Sequence, residues 1–185
     1  MRATTFGSQI ITGIFLCKDV NEQRLKTLVG NLLANGRVRR VVIRPHPKNL
    51  WRELDSWITS HQDERLTKSG EASAVEDTKG LDVVFGGNSS VLIDAVTAGV
   101  PSAYVDDLDH GSRDLHGLVA AGLMYRTTPD PDFDQLLRFY QQPEWKQRLR
   151  RFANIDDDEA TVIKKTLQEI SRLASLRAQR RDRIH

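Results

Sequence analysis

Two short stretches hold residue types suited to gripping an anion. Arg44-Pro45-His46-Pro47 follows the β-branched run from Val38 to Ile43. Proline fixes its own φ and biases the residue before it away from helix, so Pro45 and Pro47 hold Arg44 and His46 extended just past a strand. A cation and an imidazole presented there can both donate hydrogen bonds to a phosphate. Taken alone, the stretch reads better as a rigid turn that ends a strand.

The second stretch is Gly86-Gly87-Asn88-Ser89-Ser90, directly after LDVVF and directly before VLIDAVTAG. Two glycines let the backbone turn sharply and approach a ligand closely, and Asn88 or Ser89 can cap the helix that follows. Backbone N–H groups at a helix start, with two hydroxyls beside them, suit an anion. No lysine follows the glycines, so this is neither a Walker loop nor GxGxxG. Standing alone, the stretch reads better as a well-capped helix after a tight turn.

These motifs need a scaffold that brings them together. Strands are expected at Ile10 to Cys17, Val38 to Ile43, near Leu66, at Leu81 to Phe85, Ser102 to Val105 and Leu123 to Arg126. Between them, helices are expected at Asn21 to Leu33, closed by Gly36, at Asn49 to Ser60, Ala72 to Thr78, Ser89 to Ala98 and Leu115 to Ala121. Phe133 to Tyr140, Trp145 to Phe152 and Glu159 to Arg177 read as helices that end the chain, the last with Ile163, Leu167, Ile170 and Ala174 along a stripe. Near-continuous apolar strands alternating with helices predict an α/β, Rossmann-like, doubly wound parallel sheet. Residues 1–155 are expected to form that domain, and 156–185 its C-terminal amphipathic helix and basic tail. Ligands of such sheets bind beyond the carboxyl ends of the strands, where both motifs fall, so a phosphate-bearing ligand outweighs coincidence.

Composition narrows the classes. The 185 residues suit one core, and 39% apolar with 28% charged residues is ordinary for a globular chain. Lys+Arg total 27 against 25 Asp+Glu, which gives no argument for nucleic acid. Cys17 is the single cysteine, so the chain holds no internal disulfide, and a reducing, cytoplasmic setting fits. It is expected to be a small buried strand residue. No run approaches the roughly 18 apolar residues of a membrane span.

Asp106, Asp107, Asp109 and His110 have metal-compatible types but read as a flexible acidic loop, so no metal is assigned. Arg113, Asp114 and His116 follow, where a loop closing over a ligand competes with a solvated helix start. The basic end, with Arg172, Arg177, Arg180, Arg181 and Arg183, is better explained by a frayed helix C-terminus than by peripheral contact with the inner face of a membrane. Trp51, Trp57 and Trp145 fall on expected helices as core or interface packing.

VVIRPHP followed by LDVVFGGNSSVLIDAVTAGVPSAYV resembles the nucleotide-binding C-terminal half of GT-B glycosyltransferases, especially capsule-polysaccharide transferases, polysialyltransferase-like enzymes and teichoic-acid polymerases. The likeness is good over residues 38 to 120 and elsewhere rests on element order. It implies that His46 contacts the donor's phosphates and helps them leave, that Ser89 and Ser90, with Gly87 and Asn88, hold that phosphate, and that Arg44 adds charge, although pairing with a structural carboxylate would explain Arg44 as well. It also implies a ribose or sugar contact for Asp94, which a solvated helix residue would explain as well. The substrate implied is a CMP-, CDP- or UDP-linked donor, with no other cofactor. Such enzymes carry an acceptor domain of similar size, expected here on a partner polypeptide unless the chain is a fragment or a decayed relative. Two alternatives stand beside this reading: a UDP-sugar 2-epimerase, whose usual Gly-Gly-Gln-Glu-Glu pattern is absent, and a noncatalytic nucleotide- or partner-binding module.

Overall fold

The computed structural model describes residues 7, 9–69, 73–111, 113–152, 158 and 160–168. The chain divides into two compact units, Met1–Arg148 and Leu149–His185. Six strands, β1 (Ile10–Phe15), β2 (Val38–Arg44), β3 (Leu66–Lys68), β4 (Val83–Gly86), β5 (Ser102–Val105) and β6 (Tyr125–Thr127), form one parallel sheet in the order β3-β2-β1-β4-β5-β6. The chain winds outward from β1 in one direction and then returns to its other side. The order therefore reverses between β1 and β4, the place where doubly wound sheets open a crevice.

The helices α1 (Glu22–Ala34), α2 (Leu54–Ser60), α3 (Ala74–Lys79), α4 (Val91–Thr97), α5 (Phe133–Gln141) and α6 (Pro143–Phe152) follow in chain order. Helix α1 shows how the sequence dictates packing. Asn21 caps it by accepting from the Arg24 amide, and Leu25, Leu28, Val29, Leu32 and Leu33 form the 3.6-period stripe that is buried. Helix α3 starts with a reciprocal capping box between Ser73 and Glu76. At the sheet's other edge, the buried Tyr140 hydroxyl donates to the Ser102 carbonyl at 2.5 Å and accepts from the Ser102 amide at 3.0 Å. The Trp145 indole N–H donates to the Leu123 carbonyl at 2.9 Å. Buried polar atoms on the aromatic helices thus satisfy backbone groups near β5 and β6.

Three expectations need correcting. Strand β1 stops at Phe15, because its last paired neighbours are Arg44 and Gly86, where β2 and β4 also end; Cys17 lies beyond the strand and is only half-buried. Helix α2 starts at Leu54 and leaves Trp51 outside it, because Asn49 competes for the backbone: its side chain accepts from the Trp51 amide and donates to the Trp51 carbonyl. Leu115 to Ala121 forms turns. Asp114, at φ 47°, accepts from the Val119 and Ala120 amides, and Gly117 and Gly122 also have positive φ, so no helix can propagate.

In the second unit, residues 160–168 are helical, with Ile163 and Leu167 exposed. The rest of the expected helix, including Ile170 and Ala174, and the basic tail lie outside the described residues. No helix among the described residues is long and apolar enough to cross a membrane.

Candidate functional site

The register of the sheet brings the two motifs face to face. Phe15 pairs with Arg44 on one side and with Gly86 on the other, so β2, β1 and β4 all end on one row. Neighbouring strands lie about 4.8 Å apart, which sets the two motifs roughly 10 Å apart across β1. Above that row lies a cavity of about 560 Å³, lined among others by Lys18, Arg44, His46, Ser89, Ser90 and His116.

On the β2 side the turn closes on itself. The Asn49 amide donates to the His46 carbonyl at 2.9 Å, and the Lys48 amide donates to His46 Nδ1 at 3.0 Å. With Nδ1 accepting, a neutral His46 carries its proton on Nε2 and is a hydrogen-bond donor there. His46 is half-buried and lines the cavity. The Arg44 guanidinium is engaged differently. It forms an ion pair with the Asp77 carboxylate of α3, with both side chains largely shielded from solvent. Arg44 therefore forms part of the cavity wall while its charge is already matched by a carboxylate.

On the β4 side each glycine has a structural reason to be glycine. A Cβ on Gly86 would lie 2.8 Å from the Phe15 carbonyl oxygen and 2.9 Å from Leu92 Cδ1, and one on Gly87 would lie 2.0 Å from Asp109 Oδ2. The close approach these residues permit is to the protein itself. Asp109, only 8% exposed, accepts from the Asn88 amide at 2.6 Å, from Asn88 Nδ2 at 2.9 Å and from the Gly111 amide at 3.0 Å. Asn88 in turn accepts the Leu115 amide at 2.8 Å through Oδ1, and its carbonyl lies 3.2 Å from His116 Nε2. Asn88 is thus a structural hub.

Helix α4 begins with Ser90 as its N-cap residue, without a side-chain cap bond. The hydroxyls of Ser89 and Ser90 have no hydrogen-bond partner among the described residues and line the cavity. Gly87 is not part of the lining. Asp94 is exposed in the first turn of α4 and is also outside the cavity wall.

Residues 16–19, at the end of β1, form the floor between the two motifs and include Lys18 and Cys17. Sequence reasoning missed Lys18, although a lysine three positions past the end of an apolar strand was a readable signal once β1 was placed centrally. The Leu50 amide donates to the Lys18 carbonyl at 3.0 Å and the His110 amide to the Asp19 carbonyl at 3.2 Å, so both neighbouring segments are tied to this floor. Burial, reinforced by the Asp109 carboxylate, pushes the Cys17 thiol up to about 12, and it stays protonated at neutral pH.

Each acid beyond β5 has its own partner. Asp106 pairs with Arg126, Asp107 with Arg24 and Arg113, and Asp109 with the amides above. Asp114 is a backbone organiser, accepting amides with its carboxylate and donating its own amide to the Tyr104 hydroxyl at 3.1 Å. His110 and His116 line the cavity; Arg113 does not.

No family model and no curated protein matches the chain. Solved structures do. The spinosyn rhamnosyltransferase SpnG is 13% identical with a TM-score of 0.55, over 89% of this chain and 46% of that one. The glycotransferase of kitacinnamycin (15% identity, TM-score 0.49) is matched over 77% of this chain and 38% of its own length. SnogD from Streptomyces nogalater (15%, 0.48) is matched over 78% and 38%. The chain spans less than half the length of these structures. At such identity the likeness to SpnG concerns the fold, the Rossmann-like α/β architecture found in GT-B glycosyltransferases.

Proposed function

We propose that the cavity above β1 binds the phosphates of a nucleotide-activated donor, and that the chain is the donor domain of a glycosyltransferase or glycerophosphotransferase of the capsule or teichoic-acid kind. The observation that carries this reading is the convergence, on one row of the sheet and at its switch point, of a His46 whose tautomer makes Nε2 a donor and two cavity-lining serine hydroxyls without partners among the described residues.

In this reading His46 Nε2–H and the Ser89 and Ser90 hydroxyls donate to phosphate oxygens, and Lys18 supplies the positive charge that Arg44, held by Asp77, does not. These donors stabilise the negative charge that builds on the phosphate as the bond to the transferred group breaks. The acceptor and the group that activates it belong to a further domain, in this or another polypeptide.

Calorimetric titration with CMP, CDP, UDP and GDP tests the reading. The expected result is saturable binding of one base family, weakened about tenfold or more in His46→Ala and in Ser89→Ala, as loss of a hydrogen bond to a charged group implies. Binding unchanged in both variants removes the proposed phosphate site. Failure of the wild-type chain to bind any of the four removes the donor reading.

A further inference from the structure

Asp109 is a nearly buried carboxylate with no cation within ion-pair distance among the described residues. Leaving a carboxylate out of water is costly unless donors replace it. Here three do: the Asn88 amide on Oδ2, and Asn88 Nδ2 and the Gly111 amide on Oδ1. The carboxylate occupies the volume where a side chain at Gly87 would stand. Its backbone is fixed as well, by an antiparallel bridge to Val20 and by the adjacent His110 amide bonded to Asp19.

The bonds do not stop at Asn88. Its Oδ1 is left to accept the Leu115 amide, and its carbonyl meets His116 Nε2. Asn88 immediately precedes Ser89 and Ser90, while Leu115 and His116 form another part of the same cavity wall. One carboxylate therefore orients the residue on which two sides of the cavity depend.

We infer that Asp109 is a positioning residue of the proposed donor site: it holds Asn88, and through Asn88 it sets the serine turn and the Leu115–His116 wall at a fixed separation. Asp109 also borders the cavity, but its carboxylate is taken up by Asn88 and the Gly111 amide, so it acts on the ligand through the residues it holds. The inference rests on the donor reading for its functional meaning, although the positioning itself is a property of the chain alone.

Two measurements on Asp109→Asn and Asn88→Ala separate these parts. Asparagine keeps the size of Asp109 but turns one acceptor into a donor facing an N–H. Hydrogen exchange of the unliganded chain is expected to show the Asn88, Gly111 and Leu115 amides exchanging about tenfold faster or more in Asp109→Asn, with β1 and β2 unchanged. In Asn88→Ala, Leu115 should lose protection while Gly111 keeps it. Unaltered Leu115 exchange in Asp109→Asn overturns the relay, whatever the ligand.

The second measurement is nucleotide affinity by calorimetry. If the wild-type chain binds, an about tenfold loss in Asp109→Asn without loss of melting temperature supports the assignment, and an unchanged affinity overturns it. If the wild-type chain binds none of CMP, CDP, UDP or GDP, the donor reading fails and the exchange data alone decide the positioning. Should Asp109→Asn fail to fold, Asn88→Ala carries both measurements.

Discussion

The two rims of the cavity are built in opposite ways. The β2 rim is local: Pro45 and Pro47 fix the backbone, and His46 takes its hydrogen bonds from Lys48 and Asn49, two and three positions on. The β4 rim is remote. Gly87 and Asn88 are shaped by Asp109, 21 residues later, and Asn88 reaches 27 and 28 residues on to Leu115 and His116. A locally closed turn presents its imidazole through its own sequence, whereas the serine turn is set only once β5 and the segment after it are in place.

This contrast can be broken by substitution. The largest effect is expected at the sheet end of the remote rim. In Gly86→Ala the new methyl meets the fixed Phe15 carbonyl oxygen, so a loss of about 3 kcal/mol in urea unfolding is predicted, of the order seen for overpacked cores. A loss under about 1 kcal/mol would show that β1 and β4 separate easily.

Asp77→Ala tests a long-range side-chain bond of the local rim. It leaves the shielded Arg44 guanidinium without its carboxylate, and a loss of about 1–2 kcal/mol is predicted, below the range for fully buried pairs because both side chains keep some solvent contact. His46→Ala should cost less than about 0.5 kcal/mol, since the prolines hold the turn without it. A larger loss would make His46 a stability residue.

The smallest effect is a titration. The folded thiol of Cys17 lies near 12, above its ordinary value of 9.0, through burial first and the Asp109 charge second. The raised value favours the protonated thiol, so its contribution to stability is fully present below pH 9 and is lost as pH rises toward 12. Alkylation by iodoacetamide should follow the same course, remaining slow at pH 8. Asp109→Asn should lower the midpoint; Asp77→Ala should leave it in place.

The same contrast explains what could be read in advance. The doubly wound sheet was legible because each strand is an apolar run between helix-period segments. RPHP was legible because proline acts on its neighbours. The role of the glycines was not, since a ligand and a distant side chain make the same demand for space and only the fold says which is there. Arg44 was recognisable as a cation, yet its partner Asp77 is 33 residues away. The end of β1, the late start of α2 and the turns at Leu115 to Ala121 were misjudged for two reasons. Asn49 and Asp114 bond to nearby backbone and outcompete helix, while β1 ends where its neighbours do. Ser73 and Glu76 spelled a capping box that would have placed α3 more accurately.

The row formed by Arg44, Phe15 and Gly86 also bears on how the site could diversify. The hydrogen bonds from Leu50 to Lys18 and from His110 to Asp19 fasten the central segment to both flanks, so a length change there would disturb both rims together. The flanks are free of that double constraint. Variation in the span after Pro47 can reshape the β2 rim while the end of β1 stays in place, leaving the middle strand as the fixed part of the cavity and its neighbour as the adaptable one.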